Sequence, residues 1–124
     1  MGGNGKRDVL VIEDQDLAII GVEGALGDDF NLTIVKDGRK GLEEALKNNK
    51  NGIILDYSLP GMNGLDLLKE YNRLIPEKER LPVIFMTGYG GRYRHEAIEL
   101  GAKDYIPKPF KFRRLYLAAD QHFR

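Results

Sequence analysis

The sequence predicts an α/β fold: a parallel sheet of five strands covered by helices on both faces. Short apolar runs alternate strictly with stretches whose apolar residues recur at helical spacing, the pattern of strand and crossover helix. Several of the runs are continuously apolar and rich in β-branched residues, as strands buried on both faces are. No repeat, low-complexity tract or internal linker divides the 124 residues, a length suited to one domain.

Taken in order, Val9 to Ile12 is an apolar run bounded by charge, and Glu13-Asp14-Gln15-Asp16 follows it at once. From Leu17 to Leu26 the positions Ala18, Val22, Ala25 and Leu26 share a helical face; Gly27 is placed to end this helix, and Gly21 and Gly24 weaken it. Asn31 to Val35 alternates polar and apolar residues, which places that strand nearer the sheet edge. Asp37-Gly38 turns, Leu42, Ala45 and Leu46 mark a second helix, and the segment Asn48 to Gly52 closes it. The third run, Gly52 to Asp56, ends on a carboxylate and breaks into Tyr57-Ser58-Leu59-Pro60-Gly61-Met62-Asn63-Gly64. Asn63 is placed to cap a helix with Asp66 at its third position and a buried stripe of Leu65, Leu68, Tyr71 and Leu74. After a charged connector, Glu77 to Arg80, the run Pro82 to Thr87 is a fourth strand, followed by Gly88, Gly90 and Gly91. A short helix around Tyr93 to Leu100 ends at Gly101, the left-handed capping position. Lys103 to Ile106 is a fifth strand stopped by Pro107, and Phe112, Leu115, Tyr116, Ala119 and Phe123 mark a last helix.

Composition narrows the function classes. Lys plus Arg and Asp plus Glu both number 19, so no bulk field draws the chain onto nucleic acid or a membrane. The absence of cysteine excludes a disulfide scaffold, thiolate metal sites and thiol chemistry, and suits a reducing cytoplasm. No apolar run approaches membrane-spanning length, and the N-terminus lacks the apolar core of a signal peptide. Residues 1–5 read as a flexible lead or a cloning remnant, leaving 6–124 as the domain. The last third is basic through Arg92, Arg94, Lys103, Lys111, Arg113 and Arg114, a solvated face or a docking patch for an acidic partner. His95 and His122 read as surface residues.

A parallel sheet gathers the carboxyl ends of its strands on one edge. That edge receives Glu13 and Asp14 from strand one, Asp56 from strand three, Thr87 from strand four and, just past strand five, Lys108. Three acids packed together raise one another's pKa values unless a cation sits among them. All-oxygen donors without histidine or cysteine point to Mg²⁺ or a similar hard ion such as Mn²⁺ rather than zinc. With a metal and Lys108 absorbing negative charge, Asp56 could attack phosphorus and hold the phosphoryl group as an acyl phosphate, with Thr87 donating to a phosphoryl oxygen.

This constellation resembles the receiver domain of two-component response regulators from about Lys6 to the end. Four motifs carry the resemblance: Val-Leu-Val-Ile-Glu-Asp at 9 to 14, Ile-Leu-Asp-Tyr-Ser-Leu-Pro-Gly-Met-Asn-Gly at 54 to 64, Met-Thr-Gly-Tyr at 86 to 89, and Gly-Ala-Lys-Asp-Tyr-Ile-Pro-Lys-Pro-Phe at 101 to 110. Each is modest alone, whereas four in order are specific. The resemblance implies a flavodoxin-like, doubly wound sheet of order 2-1-3-4-5, with Asp56 as phosphoacceptor. It further implies Asp14 as a direct Mg²⁺ ligand, Glu13 acting through water, the Ser58 backbone carbonyl completing the ligand set, and Lys108 pairing with the phosphoryl group beside a cis Lys108-Pro109 bond. Thr87 and Tyr105 match the two switch positions, and the surface that changes is the fourth helix, fifth strand and fifth helix. Implied partners are a sensor histidine kinase or a histidine phosphotransfer protein, a downstream target or attached output domain, and a second copy of the chain through that same surface.

Some details depart from the family pattern. The stretch from Thr87 to Lys108 is slightly short, which predicts a trimmed loop after strand four or a trimmed fourth helix. Pro107 removes a donor and predicts a shortened fifth strand. Ser58 and Tyr89 occupy places that govern water access to an acyl phosphate. Rival readings fit less well. A flavin mononucleotide binder needs a Ser, Thr or Gly loop after strand one, where this chain has acids. A phosphatase of the aspartate-nucleophile class needs a second Asp at position 58, which is Ser. A receiver that works only as a binding module stays open as an alternative, although every phosphorylation residue is present. The glycines at 61, 64, 88, 90 and 91 match no P-loop and serve tight turns.

Overall fold

Among the described residues, five strands, β1 (Arg7–Ile12), β2 (Phe30–Val35), β3 (Gly52–Asp56), β4 (Val83–Thr87) and β5 (Asp104–Pro107), alternate with five helices. The helices are α1 (Asp16–Leu26), α2 (Gly38–Leu46), α3 (Gly64–Leu74), α4 (Arg94–Glu99) and α5 (Phe112–His122), and a 3-10 turn at Glu77–Glu79 occupies the charged connector. The computed structural model describes residues 4–124, so most of the expected lead lies outside the described residues. Asn4 exchanges side-chain hydrogen bonds with Asn31 at 3.1 and 3.2 Å. Every strand pairing is parallel and the order is β2-β1-β3-β4-β5. The chain runs from β1 to β2 on one side and then crosses back past β1 to β3 on the other. That reversal opens a crevice at the carboxyl ends of β1 and β3.

Strand periodicity divides the core into two layers. Val9, Val11, Ile54, Ile84, Met86 and Ile106 face α1 and α5, where Val22, Leu26, Leu115, Ala119 and Phe123 complete one cluster. Leu10, Ile12, Ile53, Leu55, Phe85 and Tyr105 face α2, α3 and α4, meeting Ala45, Leu65, Leu67, Leu68, Tyr71 and Ala97. Full burial of such side chains contributes about 1.5–3 kcal/mol each, so the sheet is held from both sides.

Gly21 and Gly24 do not break α1, because aromatic rings fill the space their side chains would take. A Cβ on Gly24 would lie 2.5 Å from the Phe112 ring, and one on Gly21 3.2 Å from Phe110. This packing offsets the roughly 1 kcal/mol helix penalty of each glycine. The same contact leaves Phe112 at the rim, 53% exposed, rather than in the core stripe expected of it. On α3, Leu74 is also outside the core at 45% exposure, whereas Leu67 is buried. The last turn of α3 carries Leu74 past the core, and the next residue, Ile75, packs inward instead. Ile19, which the predicted face omitted, is buried on α1. Pro107 remains in β5, in register with Thr87. A missing N–H is tolerated there because β5 is an edge strand.

Candidate functional site

Glu13 and Asp14 leave β1, Asp56 ends β3, and one carboxylate oxygen from each lies within 4.8 Å of the others. Glu13 is fully buried and tied down at both ends: its backbone N–H donates to Val35 O at 3.0 Å, and its Oε2 accepts from the Gln15 N–H at 3.1 Å. Lys108 reaches this group from beyond β5. Its Nζ lies 2.9 Å from Glu13 Oε1, 2.8 Å from Gln15 Oε1 and 3.3 Å from Asp56 Oδ2. The Lys108-Pro109 peptide is cis.

Asp56 is 1% exposed, and neither of its carboxylate oxygens has a hydrogen-bond partner. The Lys108 ammonium is close enough to form an ion pair with Oδ2 but is not aligned as a hydrogen bond. Burial and then the Glu13 charge push the Asp56 carboxyl from 3.8 up to about 7, against the opposing pull of Lys108. A buried carboxylate without partners is a costly arrangement. When all three acids are ionised, one ammonium leaves two negative charges uncompensated, which matches a dication. The donor set fits a hard ion such as Mg²⁺, and Asp14 and Asp56 stand where they could hold one.

Asp56 opens on a cavity of about 210 Å³ lined with it by Gln15, Ser58, Gly88, Tyr89 and Lys108. Ser58 is exposed at the rim. Thr87, fully buried at the end of β4, accepts a hydrogen bond from the Tyr89 N–H at 3.3 Å. Tyr105 lies inside the fold, 1% exposed, stacked on its register partner Phe85 at 5.9 Å. Its hydroxyl donates to Gly90 O at 2.5 Å. Thr87 follows the strand parity of Phe85, so the hydroxyl and Tyr105 belong to one side of the sheet.

His95 is exposed, 3.4 Å from Glu99, and His122 is half-buried in the last turn of α5. Gln15 escaped sequence reasoning although it ligates Lys108 and lines the cavity; its only signal was its place beside the acid pair. The contact among Tyr57, Tyr89 and Tyr93 was equally hidden, since loop residues carry no periodicity.

The family model of the response regulator receiver domain matches residues 9–120. The chain belongs to this family. It is a receiver domain of the two-component type, a phosphorylatable signalling switch. Response regulator ArlR of Staphylococcus haemolyticus is 34% identical over 111 residues, covering 88% of this chain and 49% of the relative. The chain therefore spans about half the length of that relative. The receiver domain of a LuxO repressor protein from Vibrio parahaemolyticus superposes with a TM-score of 0.84 at 28% identity, covering 95% of this chain and 90% of that one. The receiver domain of a sensor histidine kinase from Pseudomonas aeruginosa, crystallised with magnesium coordinated in its active-site cleft, shares the fold at a TM-score of 0.83 and 24% identity, covering 96% of this chain and 98% of that one. Receiver domains bind Mg²⁺ at an acidic pocket and interact with histidine kinases and downstream targets, and the acid group of this receiver is compatible with that metal. Among the described residues no helix is long and apolar enough to cross a membrane.

Proposed function

We propose that Asp56 is the phosphoacceptor of this receiver, and that a sensor histidine kinase or histidine phosphotransfer protein is the donor. The observation that carries this reading is the buried Asp56 carboxylate, with neither oxygen hydrogen-bonded and with Lys108 beside it in the lining of one cavity. An Asp56 oxygen attacks phosphorus, the bond from phosphorus to the donor nitrogen breaks, and the nitrogen keeps the electron pair. Mg²⁺ or Mn²⁺, when bound, supplies charge neutralisation to the transferring group. Asp14 and Asp56 would ligate it directly, Glu13 through water, and Ser58 through its backbone carbonyl. Lys108 is shared among Glu13, Gln15 and Asp56, so it can turn toward a phosphoryl oxygen without leaving the site.

Thr87 and Tyr105 form the switch in this reading. Thr87 moves toward the phosphoryl group, and the space it vacates on the Tyr105 side of the sheet fixes the ring inward. The face formed by α4, β5 and α5 then carries the signal to a target, an attached output domain or a second copy of the chain. Residues 6–124 act as the domain, working in the cytoplasm beside its kinase.

The test is incubation with acetyl phosphate or a phosphoramidate and Mg²⁺, followed by intact mass. The expected product is a hydroxylamine-sensitive gain of one phosphate that is absent in EDTA and in Asp56→Asn. No gain, or a gain that survives Asp56→Asn, refutes the assignment.

A further inference from the structure

The segment between β4 and α4 crosses the mouth of the Asp56 cavity, and Gly88 and Tyr89 line that cavity. Its three glycines, Gly88, Gly90 and Gly91, would meet nothing within 4 Å if given a Cβ, so none of them anchors the segment by packing. Gly90 sits at φ +58°, in the left-handed region. A stretch this rich in glycine has many conformations to lose, and something must hold it in this one.

Aromatic rings provide the hold. The Tyr93 ring stacks on Tyr57 with centroids 3.9 Å apart and planes within 12°. Tyr89 meets both edge-on, at 5.6 Å from Tyr57 and 5.7 Å from Tyr93. The Arg92 guanidinium lies over the Tyr93 ring at 5.4 Å. Tyr57 is the residue directly after Asp56, so the stack ties the far end of the segment to the rigid end of β3. The same residue reaches the switch position, because the Tyr93 N–H donates to the Tyr105 hydroxyl at 3.4 Å while that hydroxyl donates to Gly90 O.

We propose that Tyr93, stacked on Tyr57, is a positioning residue that holds Tyr89 against the Asp56 cavity and so sets the lifetime of the acyl phosphate. This rests on the assignment of Asp56 as phosphoacceptor. With the stack formed, Tyr89 stays in the lining of the cavity through which water would reach the phosphorus. Hydrolysis forms a bond from the water oxygen to phosphorus and breaks the bond from phosphorus to the Asp56 oxygen; the Asp56 carboxylate is regenerated, and a proton leaves with inorganic phosphate. Loosening the segment lets water in without altering the groups that accept the phosphoryl group.

The wild-type chain and Tyr93→Ala, Tyr93→Phe, Tyr57→Leu and the Tyr57→Leu/Tyr93→Ala double variant are phosphorylated with acetyl phosphate and Mg²⁺, the donor is removed, and loss of phosphate is followed by intact mass. Tyr93→Ala should lose phosphate roughly 3- to 10-fold faster, the scale of one or two aromatic contacts. Tyr93→Phe keeps the ring and should restore the wild-type lifetime, and the double variant should be no faster than Tyr93→Ala. Hydrogen exchange on the unphosphorylated chains supplies a readout independent of Asp56: protection of residues 89–93 should fall in Tyr93→Ala and return in Tyr93→Phe. A wild-type lifetime in Tyr93→Ala, a Phe variant as fast as the Ala variant, or additive effects in the double variant would overturn the proposal. If Tyr93→Ala does not fold, Tyr57→Leu removes the same stack and decides by the same criteria. A wild-type chain that takes up no phosphate refutes the phosphoacceptor assignment and this proposal with it, whereas normal uptake with unchanged lifetimes refutes this proposal alone.

Discussion

Replacing Asp56 with Asn should stabilise the metal-free protein at alkaline pH. The folded chain keeps the Asp56 proton up to about pH 7, whereas an unfolded chain releases it near 3.8. The folded state therefore binds more protons between those values, and its stability falls as pH rises through that window. Moving a carboxyl over that range withdraws on the order of 4 kcal/mol by pH 8. Little screening reduces this figure, because the side chain is 1% exposed. Asn resembles the protonated acid in shape and charge, and neither carboxylate oxygen has a hydrogen bond to lose. At about 3–5 °C per kcal/mol for a domain of this size, the Asn variant should melt about 10 °C or more above wild type in EDTA at pH 8. At pH 4 the two should coincide. Saturating Mg²⁺ should raise the wild type and narrow the gap, since the ion compensates the charge that Asn removes. Thermal and urea unfolding at several pH values, read as the difference between the two chains, isolates residue 56 from every other titrating group. A variant that melts at or below wild type in EDTA at pH 8 would refute the reasoning that burial and Glu13 hold this carboxyl high.

Lys108→Met leaves Glu13 and Asp56 buried without their cation. The expected cost is about 3–5 kcal/mol in urea midpoints at pH 8 in EDTA, and Mg²⁺ should recover part of it. A loss below 1 kcal/mol would mean that the ammonium is not the group holding the acids together. Gly64→Ala puts a Cβ 2.2 Å from the Asp56 backbone oxygen, so either the start of α3 or the end of β3 must move. About 1–3 kcal/mol of stability should go with it, together with a slower gain of phosphate from acetyl phosphate, because the displaced carbonyl belongs to Asp56, the proposed acceptor.

The fold was legible because each face of the sheet repeats one signal. The parity of Val9 and Val11 against Leu10 and Ile12 assigns residues to two layers without knowledge of any partner, and the two buried clusters follow that parity strand by strand. Helix faces were less legible at their ends, where shape rather than period decides. Leu74 satisfies the α3 stripe by spacing but leaves the core because the helix stops there, and Ile75 takes the inward place. Phe112 satisfies the α5 stripe yet rests on Gly24 of a helix far away in sequence. Nothing local distinguishes that glycine from a weak spot.

The site divides along a similar line. Glu13, Asp14, Asp56 and Lys108 were legible because strand ends of a parallel sheet converge whatever the loops do. Gln15 and Tyr93 act from positions set by loop geometry, and their roles depend on contacts rather than on spacing. The passage from Thr87 to Lys108 shows why this matters for signalling. Its helix α4 is only six residues long and follows directly on the glycine-rich segment, so little helical packing anchors the segment beyond Ala97. The Tyr105 hydroxyl finds its acceptor at Gly90 within that same segment, held in place by the stack of Tyr93 on Tyr57. The mouth of the Asp56 cavity and the Tyr105 ring therefore share one mechanical element, and a change that frees it should shorten the phosphorylated state and loosen Tyr105 together.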